Sequence, residues 1–360
     1  MKRGTMPEQV YSEKLGMLSD AQFQAALDRF DLGDFLIAEK IPLGVFGQNV
    51  FVTSSRGQFV LRGAPHFPWQ FPTEQFYARL LHERTHVPAP WPYLIDPTTD
   101  IFGWSYALMP RFPGTQLSLL EAEKKLTAQD RREIARAFGR NLALMHELSW
   151  PFSGRYDAAT GEVQPFELLR ELAWPFPVDH FADLAARSPG PVSYGELVAE
   201  RIRHNLALAR SYSQATTEAD LRWVEELIAR AAEALREPFQ PCFVMQDYKP
   251  DNLAILHENG TWRVSGVFDL MQPYFADGEA DLTRTTFVYL NEEPDLAREF
   301  IRAYSNLRTL RPGFAERFAV YMLDDLAILW EFAQRHDQRW WPAGWTFRAW
   351  AERYLSFSPL

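Results

Sequence analysis

Val244-Met245-Gln246-Asp247-Tyr248-Lys249-Pro250-Asp251-Asn252-Leu253-Ala254-Ile255-Leu256, followed after a polar turn by Val264-Ser265-Gly266-Val267-Phe268-Asp269-Leu270, is the stretch from which the rest of the chain is read. It places a carboxylate, Asp247, five residues before an amide, Asn252, and then two β-rich runs that end in a second carboxylate, Asp269. That set suits phosphoryl transfer. Mg²⁺ takes hard oxygen ligands, a few from protein and the rest from phosphate and water, and Asn252 and Asp269 can supply them. Asp247 can accept a hydrogen bond from an attacking hydroxyl. The transition state is loose, so position and charge neutralisation matter more than covalent chemistry. Lys249, two residues past Asp247, can reach the transferring phosphoryl oxygens.

Outward from this stretch the pattern is β-rich before it and helical around it. Leu18-Ser19-Asp20-Ala21-Gln22-Phe23 carries the Ser and Gln of a capping box, with Leu18 and Phe23 spaced as a hydrophobic staple. It predicts a helix over about 19–30, stopping near Gly33. Phe35–Ala38, Val50–Thr53 and Gln58–Arg62 read as strands, the last two joined into a hairpin by Ser54-Ser55-Arg56-Gly57. A helix is predicted over Thr73–Glu83, then strands near Trp91–Ile95 and Trp104–Met109. From Leu117 most segments are helical: 127–148, 196–213, 216–236 and 295–356, with a short β interlude over 242–270. Strands first and helices afterwards make an α+β class.

The order Asp-x-Lys-Pro-x-Asn followed by a strand-borne Asp resembles the catalytic loop and metal-binding aspartate of protein kinases. The surrounding residues, Phe268-Asp269-Leu270 and Asp277-Gly278-Glu279-Ala280-Asp281-Leu282, are similar to the aminoglycoside phosphotransferase and choline kinase relatives of that fold. The resemblance runs from Ser19 to about Leu290 and implies a bilobal protein kinase-like fold. The expected division is 1–110, a β-rich nucleotide-binding lobe, and 111–360, a helical lobe with catalytic loop and acceptor site. It implies an ATP- and Mg²⁺-dependent transfer to the hydroxyl of a small molecule, with Asp247 and Lys249 catalytic and Asn252 and Asp269 on the metal. Arg62 would bind phosphates, held by Glu74. Gly44 and Gly47 would let backbone amides approach phosphate, and Met109-Pro110-Arg111-Phe112 would be the linker at the adenine.

Three residues depart from the family pattern. Arg62 stands where Lys is usual, Met245 for the histidine before the catalytic aspartate, and Gln246 for the glycine. Arg62 and Met245 are the support for an alternative reading, a nucleotide-binding pseudokinase. Lys40 is a second candidate for the phosphate cation, and Gln246 for propping the loop. Asp281 is expected to brace that loop, and His146 to be a satisfied core histidine. Asp277 and Glu279 suit either a cationic substrate or a solvated turn. Asp324, Asp325 and Glu331 read as a solvated helix face, with binding of acceptor amines as the other possibility. Trp330, Trp340, Trp341, Trp345 and Trp350 read as helix-packing residues.

Composition narrows the classes further. A net charge of −10 without a clustered basic run argues against a nucleic-acid binder. The single cysteine, Cys242, permits neither an intramolecular disulfide nor a cysteine-built zinc site. No Gly-x-x-x-x-Gly-Lys-Ser/Thr occurs, which excludes a P-loop NTPase. No Ala-Pro-Glu follows Asp269, which argues against a protein kinase. The opening MKRGTMPEQV lacks the apolar stretch of a signal peptide, and no run of 18 apolar residues occurs, so a cytoplasmic protein without a membrane partner is expected.

Overall fold

The structure is a computed structural model, described over residues 9–41, 47–122, 125–174 and 191–358. A short hairpin, β1 (Gln9–Ser12) and β2 (Gly16–Leu18), leads into helix α1 (Asp20–Asp28). Ser19 and Gln22 form the expected capping box, and Phe23 and Leu27 turn inward. Five antiparallel strands follow: β3 (Phe35–Lys40), β4 (Asn49–Ser54), β5 (Gly57–Gly63), β6 (Leu94–Asp96) and β7 (Tyr106–Pro110), in the order β3-β4-β5-β7-β6. Alternation along β4 puts Val50, Val52 and Ser54 on the buried face. There they meet α1 and the residues Leu61, Tyr106 and Leu108.

Helix α2 (Gln70–Arg84) lies between β5 and β6. It begins at Gln70 rather than Thr73, because Pro72 falls in the first turn, where its missing N–H is not needed. Tyr77 and Leu81 are fully buried and belong to the larger core of the C-terminal part. Helix α2 therefore ties the sheet to the helices beyond it.

The C-terminal part is mainly helical: α3 (Leu117–Ala122), α4 (Ala128–Met145), α5 (Leu168–Ala173), α6 (Tyr194–Tyr212), α7 (Glu218–Ala231), α8 (Leu282–Glu292), α9 (Pro294–Ser305), α10 (Phe314–His336) and α11 (Phe347–Leu355). A hairpin, β8 (Gly154–Asp157) and β9 (Glu162–Pro165), interrupts them. Strands β10 (Cys242–Val244) and β13 (Tyr274–Ala276) extend it into a four-stranded sheet. Strands β11 (Leu253–Glu258) and β12 (Thr261–Val267) form a separate hairpin that carries the site. Helix α9 buries Leu296, Ala297, Phe300, Ile301 and Tyr304 along one face, against α4. Gly139 makes that contact close: a Cβ there would overlap the Phe300 carbonyl oxygen.

Trp330, Trp341 and Trp350 are buried and pack on one another, Trp330 stacked on Trp341, as expected of packing residues, whereas Trp340 is half exposed. No described helix is long and apolar enough to cross a membrane.

Candidate active site

The sheet side of the site is built on β5. Its edge-to-edge pairing with β4 and β7 fixes the direction of Arg62, whose side chain is 11% exposed. The Arg62 Nη2 atom lies 2.9 Å from Glu74 Oε1 on α2 and 3.1 Å from Asp269 Oδ1 beyond β12. Glu74 is itself held by Tyr93 Oη at 2.7 Å and Gln70 Nε2 at 3.1 Å. Burial favours the neutral forms of both partners. It raises the Glu74 pKa, opposed by Arg62. It would lower that of Arg62, but Glu74 and Asp269 outweigh it and keep the guanidinium above its usual value. The planar fork of arginine thus joins both lobes. Lys40, at the exposed end of β3, takes no part in this pair.

The catalytic-loop candidate leaves β10 at Val244. Gln246 adopts left-handed backbone with φ 70°, a conformation that costs glycine nothing but strains a residue with a Cβ. Asp281 holds it there, accepting from the backbone amides of Met245 at 2.5 Å and Gln246 at 2.7 Å. Asp281 is a brace, as expected. The Gln246 side chain is not: it lines a cavity of about 10 Å³, room for a single water, and its buried Oε1 has no hydrogen-bond partner. The remaining support comes from Tyr248, whose carbonyl accepts from Thr285 Oγ1 at 2.6 Å and whose hydroxyl donates to the Phe138 carbonyl at 2.9 Å. Met245 fills apolar core space. His146 sits buried behind the loop between Tyr304 Oη at 2.8 Å and Asp281 at 3.5 Å, with burial lowering its pKa, as a satisfied core histidine.

We expect Asp281→Ala to cost about 1–3 kcal/mol for each amide left unpaired, read by urea unfolding. Because the brace sets the loop's direction, turnover should fall as well. Unchanged stability would remove Asp281 from this role.

Around Asp247 the two carboxylate oxygens differ. Oδ2 accepts from Lys249 Nζ at 2.8 Å and Asn252 Nδ2 at 3.0 Å, while Oδ1 faces Arg284 Nε at 3.5 Å. Burial would raise the Asp247 pKa, but Arg284 and Lys249 hold it below the usual carboxylate value. Asn252 also donates from Nδ2 to the Asp247 carbonyl at 2.9 Å, which leaves its Oδ1 as the free acceptor. Its carbonyl accepts from Phe268 N at 3.1 Å, placing Asp269 beside it. Asp269 has φ 67° and is 31% exposed. Two hard oxygens, one of them on the partly exposed Asp269, fit Mg²⁺, which keeps phosphate and water in its remaining positions. Among the described residues no group of three His, Cys, Asp or Glu could cage a metal by itself.

Gly44 lies outside the described residues. Gly47 has φ 58°, and a Cβ there would press on Ser12 Cβ at 3.0 Å. Met109 pairs with Val60 in the sheet. The amide of Arg111 donates to Gln58 O at 3.0 Å, and its guanidinium stacks on Phe51. Thr115 bridges to Ile255, joining the segment after β7 to the β11–β12 hairpin.

The expectations for five acidic residues are corrected. Asp277 and Glu279 are neither a solvated turn nor free for a cation: both are buried against Arg311 and Arg317. Asp324 is buried against Arg201, and Asp325 against Arg284 and Thr283, so this face of α10 is not solvated. Glu331 is buried and paired with Arg335. A charge escapes being buried alone only through such pairing, and all of these pairs but Glu331–Arg335, one turn apart on α10, bridge segments far apart in sequence. Arg284 was not expected at the site; its only sequence signal is a cation three residues after Asp281.

Asp325 has a pKa raised to about 6, because burial outweighs Arg284 and Thr283. Its unfolded value is about 3.9, so between these values the folded state holds more protons. Its contribution to stability therefore falls as pH rises from about 4 to 6, on the order of 3 kcal/mol. Urea unfolding across that window should show a shallower fall in Asp325→Asn than in wild type; equal slopes would contradict the assignment.

The same two-lobed arrangement occurs in known phosphotransferases. A protein assigned as a fructosamine-3-kinase from Haemophilus somnus 129PT superposes with a TM-score of 0.57 at 15% identity, covering 92% of this chain and 95% of that one. Aminoglycoside 2'-phosphotransferase-IIIa gives 0.55 at 14% identity, over 96% and 98%. A thermostable mutant of aminoglycoside phosphotransferase APH(4)-Ia gives 0.54 at 12%, over 92% and 96%. At these identities the likeness establishes the fold, a protein kinase-like phosphotransferase fold. The sequence goes further: a model of the phosphotransferase enzyme family matches residues 38–317, and the chain belongs to that family. Among curated proteins none matches it.

Proposed function

We propose that the protein transfers the γ-phosphoryl group of ATP to a hydroxyl of a small molecule. The supporting observation is convergence. Asp247 and Asn252 are in contact on the loop that follows β10, and Asp269 beside them is tied through Arg62 on β5 to Glu74 on α2. In this reading Asp247 Oδ1 accepts the acceptor's proton while the hydroxyl oxygen bonds to phosphorus and the bond to the ADP oxygen breaks. Lys249 steadies Asp247 and reaches the phosphoryl oxygens. Arg62 has a buried Nε–H without a partner, a donor left for phosphate. Asn252 and Asp269 would hold Mg²⁺, which neutralises charge on the phosphate oxygens. Gly44 and Gly47 would flank the phosphates, and the backbone of Met109 and Arg111 the base.

Aminoglycosides and fructosamines are acceptor classes suggested by the names of the similar proteins, and sugars and amino alcohols are tested beside them as further small hydroxyl compounds. One similar structure carries ADP with hygromycin B and another GDP, so both nucleotides are tested. A coupled assay of ADP or GDP release over these acceptors should show turnover above the acceptor-free rate with at least one of them. Nucleotide binding with turnover on none would favour the pseudokinase reading.

A further inference from the structure

We propose that Arg284 is a positioning residue for phosphoryl transfer: from the first turn of α8 it holds the Oδ1 side of Asp247 in place, while Asp325, itself fixed by Thr283, locks its guanidinium. This rests on the reading of Asp247 as the base. Arg284 is nine-tenths buried. Its Nη2 donates to Asp325 Oδ1 at 3.0 Å, and the other oxygen of Asp325 accepts from Thr283. Asp324, next to Asp325, is taken by Arg201. The anchor is therefore complete without Asp247, and it leaves Arg284 Nε over.

That atom is buried, has no hydrogen-bond acceptor and lies 3.5 Å from Asp247 Oδ1. A guanidinium serving only the fold would spend both its edges on Asp325, since a buried donor left unpaired is costly. Here one edge is kept for the reacting carboxylate. Catalytic hydrogen bonds are often long until the reactive complex forms, and a small shift of Asp247 closes this one. The charged groups facing Asp247 are Lys249 and Arg284; those facing Arg284 are Asp247, Asp324 and Asp325. Lys249 and Asn252 both draw on Oδ2. Without Arg284 nothing charged holds Oδ1, and the carboxylate can swing toward Lys249. A misplacement of about 1 Å costs about 10²-fold in rate.

The test uses the full chain with Mg-ATP and the acceptor giving the fastest release in the panel above, beside Arg284→Gln, Arg284→Ala, Arg284→Lys and Asp325→Asn. The expected result is a kcat lowered about 10²-fold in Arg284→Gln with KM for Mg-ATP little changed. Added guanidinium should restore part of the activity of Arg284→Ala. Arg284→Lys should recover some of the rate but not all, since it returns the charge without the fork. Arg284→Gln that folds and turns over at the wild-type rate overturns the proposal. Loss of kcat and KM together, tracking a lowered melting temperature without guanidinium rescue, also overturns it. Should Arg284→Gln fail to fold, Asp325→Asn decides: it frees the guanidinium and must lower kcat selectively. Asp247→Asn is run alongside. Wild-type turnover there removes the base and this proposal with it; inactivity there beside an unimpaired Arg284→Gln removes only the role of Arg284.

Discussion

Asp247→Asn binds Mg-ATP about as well as wild type and turns over about 10²–10⁴-fold more slowly. The amide is nearly isosteric: with its oxygen in the Oδ2 position it still accepts from Lys249 and Asn252, while its NH2 group meets Arg284 donor to donor, and the loop keeps the two hydrogen bonds that its amides donate to Asp281. What is lost is the charge that accepts the hydroxyl proton and the attraction that orders Lys249 at 2.8 Å. Steady-state ADP release gives kcat, and calorimetric titration with Mg-ATP gives the affinity. Turnover at the wild-type rate would mean that Asp247 is not the base. Weakened nucleotide binding with unchanged kcat would place it on the metal instead.

Asp269→Asn acts on the other half of the site. It keeps an oxygen but removes the negative charge that Mg²⁺ and Arg62 share. Both contacts weaken, and we expect the Mg²⁺ requirement to rise about 10–100-fold, with Mg-ATP affinity falling alongside. The Arg62–Glu74 pair survives, because Glu74 is anchored independently by Tyr93 and Gln70. The variant should therefore fold normally. A Mg²⁺ titration of activity superimposable on wild type would take Asp269 off the metal.

Local chemistry was legible in the sequence. The Ser19–Gln22 capping box, the strands on either side of Ser55-Arg56 and the β11–β12 hairpin between Asn252 and Asp269 all follow from contiguous residues. So does the partnership of Arg62 with Glu74, once the family pattern supplies the pairing across the fold. The start of α2 was displaced because Pro72 looks like a boundary but is tolerated in a first turn. The β8–β9 hairpin carries no clear apolar alternation and lies between helical segments.

The missed parts of the site are long-range. Asp324 pairs with Arg201, 123 positions away, and Asp325 with Arg284, 41 away. On a helical wheel those carboxylates look exposed; only the packing of α6, α8 and α10 shows them buried and neutralised. The Gln246 position is a related case. Its left-handed backbone explains why a glycine suits that place, yet nothing in the local residues says that the backbone amide rather than the side chain is what Asp281 holds.

The central claim is transfer of a phosphoryl group to a small molecule through Asp247. It is tested most directly by incubating the protein with Mg-ATP and the mixed acceptor panel and identifying products by mass spectrometry. The account predicts an acceptor that gains one phosphoryl group with wild-type protein and only traces of that product with Asp247→Asn. Nucleotide binding with no phosphorylated acceptor in any class, or equal product from the variant, would contradict it.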